Sequence, residues 1–258
     1  VTGTVESIPL IAASIMSKKI ASGSKYIIMD VKVGNGALMK NVLDAKKLAN
    51  LMIEIGKIYN RFVICVLTDM DEPLGYAIGN GLEVKEAIDS LNNHGPNDLN
   101  ELVLTMAAIT LQKFMNISSD EALKLAQNNI INGQALEKFK ELVKAQKGDI
   151  NNITISNNKL EIKSIKNGYI KYIDAYHLGE MAKLLKAGRE TKEDQIDYGV
   201  GLVLNKKVGD YVNQDETLIT IYYNDASNLD YVKNNIQNLF EIQNDVVEKP
   251  KLIIDVIC

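Results

Sequence analysis

The stretch KYIIMDVKVGNG (Lys25–Gly36) decides the fold of the first half of the chain. Its apolar part, KYIIMDVKV, has the length of a buried strand, and Gly34 and Gly36 break it. NVLDAKKLANLMIEIGKIYN (Asn41–Asn60) follows with apolar residues at helical spacing, and RFVICVLT (Arg61–Thr68) is a second buried strand. Strand, helix and strand in this order predict an α/β fold whose sheet is mainly parallel and flanked by helices.

Helical patterns continue downstream until the texture of the sequence changes near Gln146. Helices are predicted at about residues 99–115, 119–132 and 136–145. Short strands, turns and two helices then follow, and they predict a small α+β module. We therefore expect an α/β domain over residues 23–150 and a C-terminal α+β module over residues 151–258.

Composition narrows the class of protein. The 258 residues carry a net charge of −4, which argues against a nucleic-acid-binding surface. No apolar run reaches the length of a membrane span, and no basic segment introduces a signal peptide. Cys65 and Cys258 are too few for a disulfide framework, so a reducing, cytoplasmic setting is expected.

Several common catalytic motifs do not fit the sequence. The GNG at Gly34–Gly36 lacks the third glycine of a dinucleotide fingerprint, and neither a P-loop nor a GxSxG elbow occurs. His94 and His177 have no cysteine or second histidine at zinc-ligand spacing. These patterns favour neither a nucleotide-binding enzyme, nor a serine hydrolase, nor a zinc protein.

The first helix, within SIPLIAASIMSKK (Ser7–Lys19), combines apolar residues with two polar ones that share a face. Ser14 and Lys18 are four residues apart, which places them about 40° apart around a helix. Spacing alone favours a solvated surface stripe over a ligand site. Such a pair gains interest where an anionic or carbonyl-rich ligand has to be held.

The loop that follows the second strand offers a different chemistry. Gly75 and Gly79 permit turns that expose backbone carbonyls, and Glu86 on the next helix adds a carboxylate. Carbonyls with one carboxylate suit a hard cation. On spacing alone, an ordinary connecting loop is the more common explanation.

Four segments together resemble one family. SIPLIAASIMSKKIASG, DVKVGNGALM, LTDMDEPLGYAIGNGLEVKEAI and DYGVGLVLNKKVGDYV are similar to segments of the pyrimidine-nucleoside phosphorylase / thymidine phosphorylase family. The resemblance covers essentially the whole chain. It implies nucleoside salvage, in which phosphate and uridine, thymidine or deoxyuridine give the free base and a pentose 1-phosphate.

The resemblance also implies site residues. Ser14 and Lys18 would contact the pyrimidine ring, with Lys18 as the catalytic group. The carbonyls of Leu74 and Ala77 and the carboxylate of Glu86 would bind a monovalent cation, potassium, or another hard cation. Residues 1–22 would belong to the helical domain through which the family forms homodimers.

The family's phosphate-binding loop has no counterpart in this sequence, so no phosphate-binding residue is expected in the chain. We expect a C-terminal part of the enzyme that needs an N-terminal part for activity. The alternative is an inactive remnant, or a binding or structural module of a split phosphorylase. VGLVLNKKVGDYV (Val200–Val212) also resembles a lipoyl or biotinyl half-barrel, but it lacks the carrier lysine between acidic or methionine neighbours in a tight hairpin.

Overall fold

A computed structural model describes residues 7–258; residues 1–6, at the start of the predicted helical segment 1–22, lie outside the described residues. The chain divides into two compact units. Among the described residues, the first unit comprises residues 7–70, Glu101–Gln127 and Lys251–Cys258, and the second comprises Asp71–Asn100 and Asn128–Pro250.

The helices and strands follow the order that the sequence patterns predict, with three short strands that those patterns miss. In chain order they are α1 (Ile8–Ala21), β1 (Tyr26–Val33), α2 (Val42–Ile58), β2 (Phe62–Asp69), β3 (Ala77–Ile78), α3 (Asn80–Leu91), α4 (Asn97–Met115), α5 (Ser119–Ile131), α6 (Gln134–Ala145), β4 (Lys159–Lys163), β5 (Gly168–Ile173), α7 (Ala175–Ala182), β6 (Gly201–Leu204), β7 (Tyr211–Val212), β8 (Thr217–Tyr222), α8 (Leu229–Ile236), β9 (Phe240–Gln243) and β10 (Ile253–Ile257). The three strands that the patterns miss are β3, β9 and β10.

The sheet of the first unit confirms the α/β class. Strands β1 and β2 pair in parallel, from Tyr26 opposite Phe62 to Val33 opposite Asp69. Strand β10 pairs antiparallel with the other edge of β2, so the sheet has the order β1-β2-β10. The parallel pair agrees with the sequence, whereas the antiparallel strand from the C-terminus makes the sheet mixed.

Helix α2 covers one face of this sheet. Asn41 caps the helix by accepting a hydrogen bond from the Asp44 N–H. The apolar face of α2 packs against alternate residues of both strands and includes Leu48 and Met52, which are 5% and 0% exposed. Burying each such side chain contributes about 1.5–3 kcal/mol. Helix α1 packs beside α2 and adds the fully buried Met16 to the same core.

The second unit is built from antiparallel sheets. One has the strand order β3-β6-β8-β4 and the other β7-β5-β9, and every pairing in them is antiparallel. Helices α7 and α8 pack on a core that includes Leu178, Leu202 and Ile219. Among the described residues, none of the helices combines the length and hydropathy needed to cross a bilayer.

Candidate functional site

Helix α1 presents Ser14 and Lys18 together on its exposed side. Pro9 lies in the first turn, where a missing N–H costs little. The helix buries Ala12 and Met16 completely, which turns Ser14 and Lys18 away from the core. The Lys18 ammonium donates a hydrogen bond to Ser14 Oγ at 3.3 Å. The structure therefore places the two residues side by side, as their spacing predicts.

The charge of Lys18 is not neutralised locally. Within residues 7–258, Lys18 forms no ion pair, and its neighbour Lys19 adds a second positive charge to the same helix turn. An ammonium has three donors, and a hydroxyl can donate or accept. This face of α1 is therefore suited to a ligand whose edge carries carbonyl oxygens and an N–H.

Glu86 holds the loop before α3 through its carboxylate. Its Oε1 accepts hydrogen bonds from the N–H groups of Tyr76 (2.8 Å) and Ala77 (3.0 Å). Gly75 has a φ of +68°, a conformation that favours glycine, and a β-carbon there would lie 2.2 Å from Glu86 Oε2. The missing side chain thus leaves room for the second carboxylate oxygen.

The carbonyl of Ala77 faces the same way as Glu86. Ala77 is opposite Val203 in the β3–β6 ladder, and the Leu204 N–H donates to the Tyr76 carbonyl at 2.8 Å. Hydrogen-bonded and non-hydrogen-bonded positions alternate in an antiparallel pair, so Ala77 is a non-hydrogen-bonded position. Its N–H and carbonyl therefore point away from β6, and the N–H donates to Glu86 instead.

The negative charge of Glu86 has no positively charged side chain paired with it in the described residues. Burial raises the pKa of Glu86, the N–H groups of Tyr76 and Ala77 oppose this, and the nearby carboxylates Asp98 and Glu83 raise it further. Within the described residues, Glu86 forms no ion pair. A half-buried carboxylate beside other carboxylates is a suitable ligand for a cation.

The donor atoms fit an alkali or other hard cation. No group of three His, Cys, Asp or Glu side chains comes together as a metal centre in the part of the chain that the structure describes. The predicted ligands are instead two carbonyls, from Leu74 and Ala77, and the Glu86 carboxylate. A cleft of about 760 Å³ borders Ala77 and Glu86 and gives an ion access to them.

The sequence patterns do not identify Lys207, the residue whose side chain bonds two backbone carbonyls of this loop. Lys207 is only 7% exposed, and its ammonium donates to the carbonyls of Pro73 and Gly75 and to Asp98 Oδ2. In the sequence, Lys206 and Lys207 form an adjacent pair in a turn. Nothing in that pattern distinguishes a buried lysine from a solvated one.

Two family models match the chain in succession. The a/b domain of a glycosyl transferase family matches residues 1–136, which is more than half of the 258 residues. The pyrimidine nucleoside phosphorylase C-terminal domain matches residues 169–243.

Curated relatives agree with these matches. The chain is similar to the pyrimidine-nucleoside phosphorylase of Staphylococcus haemolyticus, with 47% identity over 94% of this chain and 58% of that protein. Identity is 47% with the Bacillus subtilis protein of that name, over 98% of this chain and 60% of the relative. It is 45% with the Geobacillus stearothermophilus protein, over 99% and 60%. The chain thus spans about 60% of the length of these relatives. These matches confirm the resemblance expected from the sequence motifs: the chain belongs to this glycosyl transferase family and matches the pyrimidine nucleoside phosphorylase C-terminal domain.

Proposed function

We propose that this chain supplies the pyrimidine-binding face of a pyrimidine-nucleoside phosphorylase. The observation that carries the proposal is the Lys18 ammonium, which lies beside the Ser14 hydroxyl on the exposed side of α1 without an ion-pair partner in the described residues. The substrates are phosphate and uridine, thymidine or deoxyuridine. The products are the free base and a pentose 1-phosphate, in cytoplasmic nucleoside salvage.

The reaction needs a positive charge beside the base. A phosphate oxygen attacks C1′ of the pentose while the bond from C1′ to the pyrimidine nitrogen breaks, and its electron pair leaves with the base. Negative charge therefore grows on the ring and its carbonyl oxygens during the transition state. The Lys18 ammonium stabilises this charge more than it stabilises the neutral substrate, which is the requirement for catalysis.

Ser14 has a positioning role in this proposal. Its hydroxyl can accept from the ring N–H and donate to a ring carbonyl, so it fixes the orientation of the base. The Lys18 ammonium holds the Ser14 oxygen at 3.3 Å. The two residues would then act on adjacent atoms of one edge of the pyrimidine.

The second unit is proposed to bind a monovalent cation, potassium. The carbonyls of Leu74 and Ala77 and the carboxylate of Glu86 would bind the ion. The ion would then be the counter-charge of the Glu86 carboxylate, which has no ion-pair partner in the described residues. Support comes from the hydrogen-bonding pattern, since neither carbonyl accepts a hydrogen bond from the described residues. A homodimer is proposed on the resemblance to the family.

The test uses a fusion protein. It joins residues 1–258 to the segment of the Bacillus subtilis relative that has no counterpart in this chain. Uracil release from uridine and phosphate is followed by ultraviolet absorbance. We expect turnover, and a loss of about 100-fold or more in kcat/KM for Lys18→Ala. The matched control is Lys19→Ala, an exposed neighbour on the same helix, which should retain activity. Equal activity of the Lys18→Ala and Lys19→Ala proteins would contradict the proposal.

A further inference from the structure

Lys207 is a buried cation that bonds the loop carrying two of the proposed potassium ligands, Leu74 and Ala77. It is 7% exposed, and no other charged residue in the described part of the chain is buried as deeply. Its ammonium bonds the Pro73 carbonyl, the Gly75 carbonyl at 3.0 Å and Asp98 Oδ2 at 3.0 Å. Glu72 Oε1 lies 3.4 Å away as a second counter-ion.

The Lys207 ammonium and its two carboxylate partners are all hydrogen-bonded. The three bonds use all three donors of the lysine, which offsets the cost of burying its charge. Glu72 Oε2 accepts from the Val208 N–H at 2.9 Å, and Asp98 Oδ2 also accepts from the Gly75 N–H at 2.9 Å. Burial opposes ionisation of Asp98, yet the Lys207 ammonium and the N–H groups of Gly75 and Leu99 hold the pKa of Asp98 below its ordinary value.

The carbonyls of the loop from Pro73 to Ala77 divide into two groups. Pro73 and Gly75 accept from Lys207, and Tyr76 accepts from the Leu204 N–H. The remaining two, those of Leu74 and Ala77, accept no hydrogen bond from residues 7–258. The free carbonyls are therefore the two that the sequence resemblance assigns to the cation.

We propose that Lys207 is the positioning residue of this cation site. The inference rests on the proposed function of Leu74, Ala77 and Glu86. One ammonium fixes the carbonyls on both sides of Leu74, so the Leu74 peptide cannot rotate freely and its oxygen is kept for the ion. Lys207 lies within the matched C-terminal domain, residues 169–243. That domain would thus set the cation affinity of a loop that lies more than a hundred residues earlier in the chain.

The test measures potassium binding without relying on activity. Thermal unfolding of the full chain is recorded at increasing KCl, with choline chloride keeping the ionic strength constant. Binding to the native state raises Tm with KCl concentration. We expect the half-saturating KCl concentration to rise by about tenfold or more in Lys207→Met, as for other residues that orient metal ligands. Thallium-205 NMR with Tl⁺ as the probe gives a second, direct reading.

The neighbouring lysine provides the matched control. Lys206 donates to the Tyr211 carbonyl and pairs with Glu216 instead of the loop, so Lys206→Met should keep wild-type potassium binding. If Lys207→Met does not fold, Lys207→Arg takes its place, because it keeps the charge but cannot reproduce the three bonds of the ammonium; it should also bind potassium more weakly.

The outcomes separate the two proposals. A wild-type chain with no potassium response would overturn the cation site, and this inference with it. A wild-type chain that responds, together with a folded Lys207→Met or Lys207→Arg chain of equal affinity, would overturn the positioning role alone. Loss of response in the Lys207 variants and its retention in Lys206→Met would support the inference.

Discussion

Gly75 and Glu86 share one small volume of space, because the β-carbon that Gly75 lacks would lie 2.2 Å from Glu86 Oε2. Glycine also satisfies the φ of +68° at this position. Replacement by alanine therefore has two separate effects. One is backbone strain, and the other is displacement of a carboxylate that can move because it is the end of a flexible side chain.

A comparison of Gly75→Ala with Gly133→Ala separates these effects. Gly133 has a φ of +80° and no atom within 4 Å of its missing β-carbon. Both variants should lose about 1–2 kcal/mol of stability through the left-handed backbone, measured by urea unfolding. Only Gly75→Ala should weaken the potassium response of Tm. Equal potassium responses in the two variants would show that Glu86 does not bind the ion.

The core between α2 and the sheet gives a prediction about stability. Met52 is 0% exposed and Leu43, on the same helix, is 73% exposed. Met52→Ala should lower the free energy of unfolding by about 2–5 kcal/mol, because it leaves a cavity in the core. Leu43→Ala should change it by less than about 0.5 kcal/mol. Similar urea midpoints for the two variants would contradict the packing of α2 on the sheet.

The two cysteines should differ in reactivity. Burial raises the pKa of Cys65 to about 12, so its thiol stays protonated near neutral pH. Cys258 is exposed. An aromatic disulfide reagent at pH 8 should label one thiol in the native chain and both in guanidinium chloride, because the thiolate is the reactive form. Rapid labelling of native Cys258→Ser protein would contradict the burial of Cys65.

Asp225 provides a prediction about pH. The hydrogen bond from Lys186, with help from the Ser227 N–H, lowers the pKa of Asp225 from 3.8 to about 2. Because the pKa is lower in the folded state, the stabilisation is present above about pH 4 and is lost as the pH falls toward 2. Carbon-13 NMR titration of the carboxyl should give a midpoint near 2.

The matching variant is Lys186→Met, in which the Asp225 midpoint should rise toward 3.8. Lys192→Met is the control, since Lys192 forms no ion pair among the described residues. An Asp225 midpoint that is the same in Lys186→Met and Lys192→Met would show that another group holds its pKa low.

Local patterns were sufficient for the elements that follow one another in the chain. The apolar runs of β1 and β2 and the helical spacing of α2 predict the parallel pair, which the structure confirms. The sequence patterns miss strand β10, because its antiparallel partner β2 lies far earlier in the sequence and no local pattern identifies a distant partner. Strand β3 has only two residues and exists through its pairing with β6.

The candidate site divides in the same way. Helical spacing alone places Ser14 and Lys18 on one face, but their role came from the family resemblance. The environment of Lys207 depends on contacts with Pro73 and Gly75, which are distant in sequence. Lys207 is buried and its neighbour Lys206 is partly exposed. This difference arises from the tertiary fold, so the sequence could not reveal it.

The central claim is that Lys18 contacts the pyrimidine. Isothermal titration with uracil measures this most directly, in the protein that joins residues 1–258 to the Bacillus subtilis segment. We expect uracil to bind the wild type and Lys19→Ala equally, and to bind Lys18→Ala about tenfold or more weakly, because a hydrogen bond from a charged group is lost. Equal affinities of Lys18→Ala and the wild type would contradict the central claim.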